Sequence, residues 1–402
     1  MSSPPPVAAP ARKPLSGQRL VLLLGALNAA GPLSAFFYLP ALPHVQAAFG
    51  VALPVAQATV SASLTAFACG ILVSGPLSDR FGRRPVLLTG MMTFLLGSLL
   101  CLLAPSLPVL VAGRAIQALG TSTGLVVARA IVIDSFPAER VFRMIATLTM
   151  VMVLANGLSP FFGGVLVEVF GWRSIFVLLS LAGLAMVSAA WRFIPETRPA
   201  ATAGGNVLAR TADLVRRPVF LAYLLEGGVI IAIFQVFVST TPYLMQNEFH
   251  RSPQEFGLFT AFVSGGYFLG NFLVTRLGHS WRQESMLRTG LSIQVVFALM
   301  LLSFALLKLP GPWPIYLPVC LLAMGQGLAL PQINSAALTL APQSAGLASS
   351  LIGFGQNLIS GASVQFVSVF PTGRGMPMIV FTVAASFFAL ACVLAVPPRF
   401  AR

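Results

Sequence analysis

The chain has 402 residues, of which 57% are hydrophobic and only 8% charged, and its mean hydropathy is +0.89. A soluble protein carries about 25% charged residues, so two or three water-soluble domains of this total length are excluded, as are disordered proteins and disulfide scaffolds. The net charge of +14 would suggest a nucleic-acid partner if the basic residues formed one patch, but they are spread over the short loops between apolar runs.

Residues 1–19, MSSPPPVAAPARKPLSGQR, are rich in Pro, Ser and Ala and are expected to form a disordered cytoplasmic tail. Beyond them, uncharged apolar runs of about 20 residues recur, each enough to cross a hydrocarbon layer of roughly 30 Å. Twelve spans are expected, at residues 20–40, 57–77, 86–104, 109–133, 144–167, 174–195, 219–243, 255–275, 287–307, 314–337, 346–368 and 377–396. They are too long and too evenly apolar for β-barrel strands, and lipid gives backbone groups no partner, so they must be helices. The four cysteines, Cys69, Cys101, Cys320 and Cys392, fall inside these spans and are expected to be small buried hydrophobes.

With the N-terminus inside, 18 of the 24 basic residues lie on the cytoplasmic side and four, Arg173, Arg251, Lys308 and Arg374, outside. This asymmetry puts both termini in the cytoplasm and turns the net charge into an orientation signal, with no nucleic-acid partner expected. The remaining two, Arg114 and Arg129, fall within the fourth span. The longest polar interval lies at 196–218 and reads as a cytoplasmic central loop between an N-terminal six-helix bundle at 20–195 and a C-terminal one at 219–402. The expected fold is an all-α membrane protein of twelve transmembrane helices in two pseudo-symmetric bundles, the organisation of a duplicated transporter.

Several motifs lie on this framework. The first span contains Pro32-Leu33-Ser34-Ala35-Phe36-Phe37-Tyr38-Leu39-Pro40-Ala41-Leu42-Pro43, and the loop after the second reads Gly75-Pro76-Leu77-Ser78-Asp79-Arg80-Phe81-Gly82-Arg83-Arg84-Pro85. The fourth span opens on Gly113-Arg114-Ala115-Ile116-Gln117 and closes on Arg129-Ala130-Ile131-Val132-Ile133-Asp134. The fifth contains Asn156-Gly157-Leu158-Ser159-Pro160-Phe161-Phe162-Gly163-Gly164. In the second half, Leu273-Val274-Thr275-Arg276-Leu277-Gly278 repeats the loop motif with Thr275 in the place of Asp79.

Together these segments resemble the major facilitator superfamily, and within it the drug:proton antiporters of the bicyclomycin/chloramphenicol-resistance group. The resemblance implies a twelve-helix major facilitator fold. It also implies a conformational lock made by Gly75, Asp79, Arg80, Gly82, Arg83, Arg84 and Asp134, with Asp79 near the start of the eleventh span and Arg83 paired to Asp134. One departure stands out. Where that group places an intramembrane Asp in the first span, this chain has Phe36, and the span contains no acid.

Of the ten acidic residues, only Glu226 lies well inside a span, about 10 Å deep at helical rise. A charged carboxylate there costs several kcal/mol unless paired or protonated, so Glu226 is expected to replace the missing acid in proton coupling, with Arg114 and Arg129 as its intramembrane cations. A structural ion pair of Glu226 with Arg129, or with Arg216 or Arg217, is the other reading. Arg114 either faces the central cavity or snorkels to the outer interface. The resemblance puts the first, fourth, seventh and tenth spans around the cavity, where Asn28, Phe36, Tyr38, Gln117, Thr121, Gln235, Tyr243 and Asn334 are the candidate substrate-binding residues.

The expected activity is export of small amphipathic, neutral or zwitterionic drugs or metabolites by alternating access coupled to proton influx, in the inner membrane and by a monomer. An uncoupled facilitator is the alternative, because of Phe36. No cofactor is expected beyond the proton gradient, and the partners are the small-molecule substrate, protons and the bilayer. An enzyme is not expected: His44, His250 and His279 lie scattered outside the spans with no metal-ligand spacing.

Overall fold

A computed structural model describes residues 17–197, 207–277, 281–340, 345–370 and 373–395, and every regular element among them is a helix. The first apolar run gives α1 (Gly17–Tyr38), a 3-10 turn and the short α2 (Leu42–Phe49). Then follow α3 (Leu53–Phe81), α4 (Arg83–Leu102), α5 (Leu107–Ser135), α6 (Ala138–Phe170) and α7 (Arg173–Phe193). The second half contains the short α8 (Val207–Val215), α9 (Pro218–Tyr243), a π-helical turn, α10 (Pro253–Leu277), α11 (Gln283–Leu306), α12 (Trp313–Thr339), α13 (Ala345–Ser368) and α14 (Met376–Ala395).

Among the described residues, eleven helical stretches are long and apolar enough to cross a membrane, against the twelve expected. The expected span outside the eleven is α13, which has 24 residues but carries Gln356, Asn357 and Gln365 among several Gly and Ser residues, which dilute its apolar character. Three smaller readings also change. Residues 17–19, expected in the tail, begin α1, and the rest of the tail lies outside the described residues. The interval read as a loop contains α8. Cys69 is exposed on α3 rather than buried.

Glycines let the helices approach closely where a side chain would hold them apart. A Cβ on Gly120 of α5 would lie 2.3 Å from the Phe94 backbone nitrogen of α4, and one on Gly327 of α12 would lie 2.4 Å from the Tyr267 carbonyl of α10. Helices α1 and α3–α7 pack on one another, as do α9–α14, and the two sets meet chiefly along α3–α13 and α6–α10.

The apolar core follows the same division. At the end of the molecule away from Asp79, one cluster draws on both sets, from Tyr38, Phe94 and Phe176 to Phe237, Phe256 and Tyr316. Towards the Asp79 end the core separates into a cluster of residues 20–194 and a cluster of residues 214–393, with Leu72 of α3 against the second.

Candidate functional site

The boundary between the two sets is sealed at one end. Among the described residues four hydrogen bonds cross it, all at that end: Gln57 Nε2 donates to the Ser239 carbonyl at 2.7 Å, Gln246 Nε2 to the Pro40 carbonyl at 3.0 Å and Gln365 Nε2 to the Pro54 carbonyl at 3.1 Å, while Ser61 Oγ donates to Gln365 Oε1 at 2.9 Å. At the same end a Cβ on Gly164 of α6 would lie 2.2 Å from the Pro253 carbonyl, and one on Gly257 of α10 would lie 2.3 Å from Phe161 Cα. The backbones of α6 and α10 therefore touch where the fifth-span motif ends. Phe36 and Phe234 meet across the boundary with ring centroids 6.2 Å apart, so the position where the resemblance puts an acid is occupied by an aromatic contact.

At the other end no hydrogen bond or ion pair joins Asp79 to α13 among the described residues. Its side chain is 50% exposed and forms an ion pair with Arg83, which also donates through Nε to Asp134 Oδ2 at 2.9 Å and through Nη1 to Ser78 Oγ at 2.8 Å. Arg83 thus ties the end of α3 to the end of α5. The turn before it needs Gly82, whose φ of +101° is strained for any residue with a side chain and whose Cβ would lie 2.5 Å from Glu196 Oε2. Glu196 in turn accepts from the backbone N–H groups of Arg83 at 2.9 Å and Arg84 at 3.2 Å, capping α4 with a carboxylate. Arg84 Nη2 donates to the Trp191 carbonyl at 2.7 Å, Arg80 lies over the Phe81 ring at 5.2 Å, and Gly75 faces Val126.

Arg114 does not snorkel. It is 2% exposed, and its Nη1 donates to the Ser34 carbonyl at 3.1 Å, to Ser34 Oγ at 3.3 Å and to Gln117 Oε1, while its guanidinium lies 4.6 Å from the centre of the Tyr38 ring. Gln117 Nε2 continues to Ser98 Oγ of α4 at 2.8 Å, and Tyr38 OH to Thr59 Oγ1 of α3 at 2.9 Å. This chain of contacts joins α1, α3, α4 and α5 around a cation and contains no carboxylate.

Glu226 is 2% exposed, and its Oε1 has no hydrogen-bond partner among the described residues. Among the described residues none of the ion pairs includes it, so the alternative pairing with Arg129, Arg216 or Arg217 is not formed there. It lies instead within electrostatic reach of Cys392 on α14. Arg129 is half-buried and its Nε also lacks a partner.

The eight substrate candidates divide. Asn28, Tyr38, Gln117, Thr121 and Tyr243 are all buried and in this conformation present almost no surface to a ligand. Asn28 Nδ2 donates to the Leu148 carbonyl of α6 at 3.3 Å, and Thr121 Oγ1 to the Ala118 carbonyl of its own helix at 3.0 Å. Phe36, Gln235 and Asn334 are half-buried. Reasoning from the sequence missed the glutamines of the seal, the cap made by Glu196 and the bond from Gln356 Nε2 to Asn334 Oδ1 at 3.0 Å. The available signal was the presence of amides within or beside apolar helices, which need partners there.

The sequence profile of the Major Facilitator Superfamily matches residues 24–364. The chain belongs to the Major Facilitator Superfamily. It is a transporter and not an enzyme, and its relatives include proteins named for chloramphenicol, bicyclomycin and multidrug resistance. It is 30% identical over 377 residues to a chloramphenicol resistance protein of Pseudomonas aeruginosa, covering 93% of this chain and 90% of that one. It is 29% identical over 361 residues to multidrug resistance protein D of Escherichia coli, covering 89% and 90%. Among solved structures, a bacterial homologue of the human lysosomal transporter Spinster, crystallised inward-facing and unoccupied, superposes with a TM-score of 0.72 at 16% identity over 93% of this chain and 96% of that one, a likeness of fold.

Proposed function

We propose that this transporter exports small amphipathic, neutral or zwitterionic drugs or metabolites across the inner membrane, in exchange for protons. The observation that carries the reading is Glu226, a buried carboxyl group with an unpartnered oxygen inside α9. In hydrocarbon such a group is expensive unless it serves function, and an acid whose charge alternates between conformations is the least that proton exchange requires. Glu226 takes up a proton when the outer side is open and releases it to the cytoplasm, and the membrane potential adds about 2.3 kcal/mol per charge for each 100 mV.

Alternating access supplies the rest of the cycle. In this reading both termini are cytoplasmic, residues 20–195 and 219–402 form the two six-helix bundles about the central loop 196–218, and α13, the eleventh span in chain order, completes the set of twelve, tolerated in lipid because it lies between α3 and α9. The glutamine seal is then the outer gate, the structure faces inward, and the lock of Asp79 against α13 is disengaged. Arg83 and Asp134 hold their side of that lock ready, and Arg114 and Arg129 set the positive field of the N-terminal bundle. The transporter acts as a monomer.

Cells lacking their own exporters and expressing the full chain test the proposal. Efflux of chloramphenicol against its gradient is expected to depend on the pH gradient and to disappear in Glu226→Gln, with binding retained. Active efflux unchanged in Glu226→Gln contradicts the assignment. Efflux only down the gradient in the wild type favours the uncoupled facilitator suggested by Phe36.

A further inference from the structure

The sealed end of the molecule contains a cavity for which the transport cycle has no use. Its volume is about 130 Å³, and it is lined from both sets: Gln46 and Leu53 belong to the first, and Tyr243, Leu244, Asn247 and Glu248 to the second. The second group owes its place to the π-helical turn Leu244–Glu248, which continues α9. Gln246 of that turn bonds across the boundary to the Pro40 carbonyl at 3.0 Å, while Asn247 and Glu248 line the cavity. Such a space holds about four waters at roughly 30 Å³ each, or one ligand of a few heavy atoms.

The lining is rich in acceptors. Glu248 Oε1 accepts from the Arg374 backbone N–H at 3.0 Å, which fixes the carboxylate, and among the described residues no ion pair includes it. Arg251, three residues on, is paired instead with Glu255 at 3.2 Å. Gln46 Nε2 donates to the Val51 carbonyl at 3.2 Å, so Oε1 is the end of that amide left to a ligand. Tyr243 is 4% exposed with a sealed, unpartnered hydroxyl, so it offers the cavity its ring. A carboxylate, an amide oxygen and an aromatic surface in one small space suit a cation. Among the described residues no three His, Cys, Asp or Glu side chains gather to hold a metal, whereas an ammonium needs one carboxylate and directs its other N–H groups at neutral acceptors. Leu53 and Leu244 give a short apolar wall for an alkyl chain.

We propose that this cavity binds the primary ammonium of a small alkylamine and that binding holds the sealed end shut. The two walls belong to different sets, so parting the sets at this end takes the site apart. A ligand shifts an equilibrium by its difference in affinity between the two states, and this site exists in one of them. With the sealed end as the outer gate, such an amine acts from outside as a brake on export without entering the substrate path.

The test uses the purified full chain in detergent with n-butylammonium, and with n-butanol and sodium chloride as uncharged and ionic controls. Butylammonium is expected to raise the melting temperature saturably and to speed disulfide formation in the double variant Ser61→Cys, Gln365→Cys, and the two controls to do neither. Glu248→Gln, at an exposed position, keeps an acceptor for the Arg374 N–H and removes the charge. It is expected to weaken binding about 10–100-fold, the range for a hydrogen bond to a charged group, and Gln46→Leu, on the other set, about 3–10-fold. An equal response in Glu248→Gln, an equal response to butanol, or no response overturns the site. Saturable binding that leaves the crosslinking rate unchanged, or slows it, overturns the brake. Neither readout needs export, so a failure here is separate from a failure of the export reading, which chloramphenicol efflux decides.

Discussion

Arg114 is a permanent cation enclosed by a carbonyl, a hydroxyl, an amide and an aromatic face, with no acid in its network. A guanidinium suits this site because it donates in its own plane while stacking on Tyr38, which an ammonium cannot do. Arg114→Ala is therefore expected to cost about 3 kcal/mol from lost charged hydrogen bonds and stacking, and Arg114→Lys to recover little of it, both read as lowered melting of the detergent-solubilised protein. A lysine variant as stable as the wild type would show that charge alone suffices. Glu196 has a smaller task, capping α4 through two backbone N–H groups. Glu196→Ala is expected to cost about 1 kcal/mol and to loosen the Arg83 turn, seen as faster hydrogen exchange at residues 83–86.

Among the helices, packing depends on which glycines face a neighbour's backbone. Gly120→Ala would place a methyl group 2.3 Å from the Phe94 nitrogen, so α4 must move off α5, and this variant is expected to lose more than about 2 kcal/mol and to fail to accumulate. Gly157→Ala, in the fifth-span motif but with nothing within 4 Å, is expected to be neutral or to gain about 0.5–1 kcal/mol of helix propensity. Comparing the folded yield of the two by fluorescence-detected size exclusion checks both. The sequence made the helices legible because a run of about 20 apolar residues has only one solution in lipid. The weakly apolar character of α13 lies in Gln356, Asn357 and Gln365, uncharged amides that do not interrupt a run defined by its lack of charge. Depth along a helix was likewise readable, which singled out Arg114 and Glu226. The direction each side chain faces was not, because it depends on packing against distant helices: Asn28 turned to Leu148 of α6 and Gln117 to Ser98 of α4, and Glu226 lies near α14 rather than beside an arginine.

At the scale of the whole molecule, the two halves are held at one end by uncharged amides and close backbones, and at the other end the ion pairs of Arg83 stay within one half. A cysteine pair replacing Ser61 and Gln365, whose side chains lie 2.9 Å apart, is expected to crosslink in membranes without substrate, to stop export and to regain it on reduction; failure to crosslink would contradict a sealed outer gate. The central claim is that substrate and protons move in opposite directions through the two halves, with Glu226 carrying the proton. The most direct measurement is proton flux in proteoliposomes containing the purified transporter and an internal pH dye when chloramphenicol is added to one side. The account predicts a proton movement opposite to the drug in the wild type and none in Glu226→Gln; drug movement in the wild type with no proton movement would contradict it.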